Sequence, residues 1–233
     1  MRLNRYLLGY DTFFRHKRVA GLCGDVRGKK MLDVGGGGYL SRFFAGASIT
    51  TLNLDHGDVI GDGRDLPFDD NSFDLVVSLD VLEHVAKPDR AKFVDELFRV
   101  AKDKVVICAA LGTPKHEEYA RQMLKTYRML GKQDNKHLEE HIDLGMPTLE
   151  DVRSLALSKK HAMLFENILG AAPLVKKLRN FKTKNDRVNK ALGMFQLMAT
   201  VLQTLFFEAF VYGRTISSLP SGRTNRFYLV IDK

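Results

Sequence analysis

Asp33 is followed by Val34 and four consecutive glycines, Gly35 to Gly38, after the apolar pair Met31-Leu32. This reads as a buried strand that ends in a carboxylate and opens into a loop almost without side chains, where backbone can approach a ligand closely. The dinucleotide fingerprint opens on glycine, whereas this turn opens on an acid, which suits a cationic, amino-bearing ligand better than a pyrophosphate. Further along, His84 stands in Leu82-Glu83-His84-Val85, and His137 and His141 stand four apart in His137-Leu138-Glu139-Glu140-His141. Histidine titrates near neutrality and can take a proton from a hydroxyl, so His84 and His141 are candidate general bases. The Glu83-His84 pair reads first as a brace for its loop, with the direct base as the other role of His84. His137 and His141 would share one face of a helix, which admits a metal pair. Their segment reads better as a cover over an acceptor site, and no metal is expected.

The elements that must hold these groups alternate between strand and helix. Lys30–Val34, Ile49–Leu54, Val59–Asp62, Phe73–Ser78 and Lys104–Ala109 read as strands, and Pro88–Ala101 as a helix with Phe93, Val94, Leu97, Phe98 and Ala101 on one face. Leu40–Ala45 looks helical, and Leu3–Leu22 forms a leading helix with apolar residues at spacings of three and four. Such alternation builds a parallel sheet through right-handed crossovers. Between Asp55 and Val59 there is room only for a tight turn, although a parallel crossover needs about a dozen residues. The third strand is therefore displaced, or the link is short and irregular, and that face of the sheet is thin.

Leu32-Asp33-Val34-Gly35-x-Gly37, Gly61-Asp62, Asp65-Leu66-Pro67-Phe68, Asn71-Ser72-Phe73-Asp74 and Val81-Leu82-Glu83-His84-Val85 follow one another in a fixed order. That order resembles the class I S-adenosylmethionine (SAM)-dependent methyltransferases of the small-molecule kind, most strongly from Lys30 to Ala110. The resemblance implies a Rossmann-like α/β sheet with helices on both faces and SAM as cofactor. It places Gly35, Gly36 and Gly37 against the methionine and ribose of SAM, Asp33 near its amino end, and Asp55 on the ribose hydroxyls. Asp62 and Gly63 fall to the adenine, and the Leu79 carbonyl to the methionine amine. The leading helix becomes a lid or simply packs on the sheet edge. The family pattern has a further glycine where this chain has Tyr39, which either packs on the ligand or caps the next helix.

The 233 residues carry a formal net charge of +8 and only two cysteines, Cys23 and Cys108. That excludes a disulfide framework and points to a cytoplasmic chain. The N-terminus is basic but has no uninterrupted apolar stretch before a cleavage site, so no secretory signal is expected. One methyltransferase domain, 1–168 with 226–233, is expected to carry an acceptor-site insertion at 112–147. Thr148-Leu149-Glu150-Asp151 reads as a capped helix start, and His161–Ile168 and Arg226–Ile231 as strands. Between those strands lies a helical insertion, 169–225.

The insertion opens with Lys176, Lys177, Arg179, Lys182, Lys184, Arg187 and Lys190. It continues as an apolar stretch, Ala191–Gly213, marked by a polar stripe of Gln196, Thr200, Gln203, Thr204 and Glu208. This stretch could fill the core or a homodimer interface, cover an apolar acceptor pocket, or lie at a membrane surface as a peripheral contact. A bilayer span is not expected, since Glu208 lies within it. The acceptor is expected to be a small or lipid-linked molecule, such as a glycan. Basic patches also attract nucleic acid, but no Asn-Pro-Pro-Tyr motif or RNA-binding module accompanies this one. A catalytically idle SAM-binding scaffold is the remaining alternative.

Overall fold

The computed structural model describes residues 8, 10–129, 136–167, 186–210 and 215–233. Eight strands form one sheet: β1 Lys30–Val34, β2 Ser48–Asn53, β3 Val59–Ile60, β4 Phe73–Leu79, β5 Ala101–Ala110, β6 Lys160–Glu166, β7 Ile216–Ser217 and β8 Arg226–Asp232. Their order is β3-β2-β1-β4-β5-β8-β6-β7. The first five are parallel, and β8 runs antiparallel between β5 and β6. Strands buried on both faces need apolar residues on both, which is why Val105–Ala110 is fully apolar and nearly solvent-free.

Two layers cover the sheet. On one face, α2 (Arg90–Val100) and α5 (Leu149–Ala156) set Phe93, Val94, Leu97 and Val152 against Leu32, Val76, Ile107 and Leu229. The Thr148 hydroxyl caps α5, accepting from Asp151 N at 3.1 Å while the Asp151 carboxylate accepts from Thr148 N at 3.0 Å. On the other face, α1 (Tyr10–Cys23) lays Val19 and Cys23 on Met31, Val77, Val106 and Cys108. Burial pushes both thiols, Cys23 and Cys108, up to about 12, so they act as apolar packing.

One expected helix is reduced. Leu40–Ala45 yields only a 3-10 turn, Tyr39–Arg42, because nine residues, 39–47, must carry the chain from the glycine loop to β2. The link from β2 to β3 is also helix-free. The Asp58 carboxylate accepts from Thr51 N and Oγ1, both at 2.8 Å, and folds the chain back so that Leu52 and Asn53 lie beside Val59 and Ile60. The expected short link is thus a two-residue parallel strand with no helix above it.

The segment after β5 forms α3 (Pro114–Met129) and α4 (Lys136–Asp143). Of the expected insertion before the last strand, the described part is α6 (Asp186–Phe210) and the edge strand β7. Lys176, Lys177, Arg179, Lys182 and Lys184 lie outside the described residues. α6 lies along α1: Val201 packs on Leu8, Phe13 and Phe14, and Lys17 Nζ pairs with Glu208. Its polar stripe faces inward, with Thr204 fully buried, while Met194, Phe195, Leu197, Met198, Leu202, Leu205 and Phe206 are exposed. Burial in the core is therefore not where these apolar side chains go. No helix among the described residues is long and apolar enough to cross a membrane.

Candidate functional site

In an open sheet of this topology, ligands meet the carboxyl ends of the strands where the order reverses, here between β1 and β4. Asp33 lies in register with Thr51 on one side and Val77 on the other, and Val34 with Leu52 and Ser78. Asp33 is 1% exposed, and its Oδ1 has no hydrogen-bond partner among the described residues. Neither do Ser78 Oγ, Asp80 Oδ1 and Glu83 Oε2, all in the last turn of β4 or just beyond it. Asp80 Oδ1 has the Arg226 guanidinium at 3.7 Å, and Glu83 lies toward His84 and His141. An orphaned buried acceptor costs about 1–3 kcal/mol, so Asp33 at the switch point marks a place built for something to complete it.

The glycine loop closes over Asp33. Gly35 N donates to the Leu52 carbonyl at 2.7 Å and Gly35 sits at φ +77°, a region that favours glycine. A Cβ on Gly35 would stand 2.3 Å from Val81 Cγ2, and one on Gly36 would stand 1.9 Å from Asp33 Oδ2. Gly37 has ordinary room beside Tyr39. Tyr39 starts the 3-10 turn and is 40% exposed, with the Arg42 guanidinium 5.1 Å from its ring centroid and His16 of α1 at 5.8 Å.

The remaining sequence-predicted residues occupy the same edge in different states. Asp55, two residues beyond β2, is open to solvent and, among the described residues, bonds its neighbour His56 at 2.6 Å. The Asp62 carboxylate is taken up by Arg64 Nε and Nη2 at 2.7–3.1 Å, and Arg64 also reaches Asp89 at 2.6 Å. That hydrogen bonding holds Asp62 below the usual carboxylate range. Gly63 sits where a Cβ would meet the Phe93 ring at 2.4 Å, so glycine is required by α2 at least as much as by a ligand. Leu79 ends β4, buried, and Asp80 N then donates to the Cys108 carbonyl at 2.7 Å with φ +53°.

The two candidate bases come together although they stand 57 positions apart in sequence. The His84 and His141 ring centroids are 4.9 Å apart, with His137 5.2 Å from His84. His84 Nδ1 donates to Glu140 Oε2 at 2.6 Å, which fixes that nitrogen as protonated and leaves Nε2 with its lone pair in the neutral ring. Burial lowers His141 to about 4, keeping it neutral at physiological pH. Glu83 is 2% exposed and its Oε1 accepts from Ala110 N at 3.1 Å. Glu83 thus ties the β4 loop to the end of β5. His84 instead holds α4 over the loop, while Arg90 anchors the other end of α4 by donating to the carbonyls of Val85 and Gly145.

Sequence reasoning missed the wall on the α1 side. Arg15 Nη1 pairs with Asp80 Oδ2, and the buried Arg226 guanidinium lies 3.7–3.9 Å from Asp80, Asp11 and Glu166. An arginine opening a strand gives no sequence signal for this, because its three partners lie on three other elements.

Residues 32–109 match the family model of the methyltransferase domain. Tocopherol O-methyltransferase of Arabidopsis thaliana is 55% identical over 42 residues, covering 18% of this chain and 12% of that protein. Ajmaline N-methyltransferase of Rauvolfia serpentina is 42% identical over 66 residues, 28% of this chain and 22% of that protein. The matches thus span less than a quarter of either curated relative. Among solved structures, Haemonchus contortus phosphoethanolamine N-methyltransferase 2 in complex with SAM superposes with a TM-score of 0.51 at 16% identity, over 96% of this chain and 57% of that one. A Galdieria sulphuraria protein assigned as a sarcosine dimethylglycine methyltransferase gives 0.53 at 19%, over 96% and 87%. The fold is that of these superposed methyltransferases, the match to the methyltransferase domain covers residues 32–109, and both point to SAM as the cofactor.

The residues fit that cofactor. SAM carries an ammonium and a sulfonium, and the orphaned Asp33 carboxylate below a loop with no room for a Cβ is a cradle for a cation. Burial raises Asp33 to about 7. The free protein therefore binds a proton there that the unfolded chain releases near 4, and loses stability as pH rises from about 4 to 7. A cationic ligand favours the ionised form, so SAM affinity is expected to climb between pH 6 and 8 and then level off. Calorimetric titrations across that range check this, and Asp33→Asn should flatten the profile.

Proposed function

We propose that this protein transfers the methyl group of SAM to a small or lipid-linked acceptor. The observation that carries the reading is the buried Asp33 carboxylate at the β1–β4 switch point, its Oδ1 without a hydrogen-bond partner among the described residues and its Oδ2 directly beneath Gly36 of the glycine loop. SAM, when bound, supplies a methyl carbon already activated by its sulfonium. The chain must then align the acceptor and, for a hydroxyl, remove its proton.

The glycine loop and Asp33 hold the cofactor end. Asp55 is free to accept from two ribose hydroxyls, and its exposure leaves that carboxylate available. His84 and His141 stand beside the β4 loop under α4, one oriented by Glu140 and the other kept neutral by burial. Either can meet an acceptor proton, so His84→Gln or His141→Gln is expected to cut turnover of a hydroxyl acceptor ~10²–10⁴-fold with SAM affinity near normal. Steady-state rates beside SAM titrations check this, and full activity in both variants would leave alignment as the whole of catalysis. Calorimetry with SAM, then detection of a labelled methyl in product, separates an enzyme from an idle scaffold.

The outward apolar face of α6 supports an acceptor with an apolar tail or a membrane-borne one. Wild-type protein is expected to sediment with anionic vesicles, and Leu202→Ser with Phe206→Ser to stay in the supernatant. A salt-insensitive dimer abolished by the same substitutions, with no vesicle binding, would instead make α6 a contact between copies.

A further inference from the structure

Glu83, His84 and His141 offer ligand atoms that all lie within 4.8 Å of one another. They come from two elements that meet only in the fold, the loop after β4 and helix α4. We infer that these three side chains form a binding site for one divalent transition-metal ion, with Zn²⁺ as the matching chemistry.

The donor set is two imidazoles and one carboxylate, which leaves a coordination position open for water or a ligand oxygen. Glu83 is the strongest sign. It is nearly fully buried, its Oε1 is used by Ala110 N, and its Oε2 has no hydrogen-bond partner among the described residues. A buried carboxylate oxygen facing two imidazoles needs a positive partner, and a metal supplies one without adding a side chain. Glu140 completes the arrangement from behind. It accepts the His84 Nδ1 proton at 2.6 Å, the carboxylate–histidine pairing that leaves Nε2 free to ligate and makes it more basic.

A tetrahedral ion with bonds of about 2.1 Å needs ligand atoms about 3.4 Å apart. The site therefore has to close by roughly an ångström, which rotation of the His141 side chain on α4 can provide. His84, His137 and Glu140 form a second triangle of the same size, but it is more exposed, and there Glu140 is already occupied by His84. An ion on Glu83, His84 and His141 would pin α4 to the β4 loop. It would also acidify a hydroxyl in its open position, so that the imidazoles would serve as ligands and not as bases.

The proposal bears on acceptor activation but its test needs neither SAM nor an acceptor, so it can fail while methyl transfer stands. Full-length, tag-free protein is stripped with a chelator and titrated with Zn²⁺ by calorimetry and with Co²⁺ by visible absorption. One equivalent of Zn²⁺ is expected, with a raised melting temperature and ligand-field bands for Co²⁺. Glu83→Gln keeps the acceptor for Ala110 N, and His141→Ala lies on α4, so both should fold and bind Zn²⁺ at least a hundredfold more weakly. His137→Ala should bind as wild type. The site is overturned if the wild type takes up no stoichiometric Zn²⁺, if His141→Ala retains its affinity, or if His137→Ala and not His141→Ala abolishes binding.

Discussion

Gly36→Ala is expected to weaken SAM binding at least a hundredfold, about 2.7 kcal/mol. The new methyl would stand 1.9 Å from Asp33 Oδ2 and barely farther from the rest of that carboxylate, so either the loop lifts or Asp33 rotates away. Both responses dismantle the cradle, the first by moving the backbone that passes the cofactor and the second by displacing the charge that faces its ammonium. Overpacking of this sort also costs stability, about 1–3 kcal/mol. Gly37→Ala is the control, since its Cβ would meet only the edge of Tyr39 at 3.4 Å. Calorimetry with SAM and a thermal melt of both variants make the comparison. Wild-type affinity in Gly36→Ala would remove the glycine loop from the cofactor site.

The strands that carry this site were legible because buried parallel strands are written as unbroken apolar runs. Val105 to Ala110 could hardly be read otherwise, Met31-Leu32 and Val34 are broken only by the site carboxylate Asp33, and the order of the strands set the switch point. Periodicity misled at Leu40, Phe43 and Phe44, whose spacing fits a helix although nine residues leave space for little more than one turn. Pattern alone has no term for the distance a connection must cover. Edge strand β7 has two residues and so no period at all. In α6 the polar stripe was visible, but a stripe does not say which side the protein takes. Here Thr204 and Glu208 turn inward, because α1 offers Lys17 as a partner for the acid.

The site was half legible for a related reason. Asp33 and the glycines are contiguous, so one strand-loop pattern reveals them together. The meeting of Glu83 and His84 with His141 depends on how α4 returns across the β4 loop, which the carbonyls of Leu144 and Gly145 and the Arg90 guanidinium decide. No spacing in the sequence encodes that return. The same holds for Arg226, which collects acids from α1, from the end of β4 and from β6.

Arg226→Met should be the most destabilising substitution outside the apolar core, by about 3–5 kcal/mol. The guanidinium is buried and stands 3.7–3.9 Å from Asp11, Asp80 and Glu166. These are ion-pair distances rather than hydrogen bonds, and Nε and Nη1 have no hydrogen-bond partner among the described residues. Its contribution is therefore mainly to neutralise the buried Glu166, with the part-exposed Asp80 and Asp11 at its outer side. Glu166 is 2% exposed and also accepts from the Tyr228 hydroxyl at 3.1 Å, so it cannot turn to water when the cation is lost. Asp80 would keep Arg15 and suffer less. A loss of that size lowers the melting temperature of a chain this long by roughly 6–20 °C. The deficit should shrink as pH falls and the stranded acids take up protons, because the variant's folded state then holds their neutral forms. Adding Glu166→Gln to Arg226→Met should recover part of the loss for the same reason. Thermal melts of wild type, single and double variants at pH 5 and 7.5 decide it, and an Arg226→Met protein as stable as wild type would show that these acids do not need their cation.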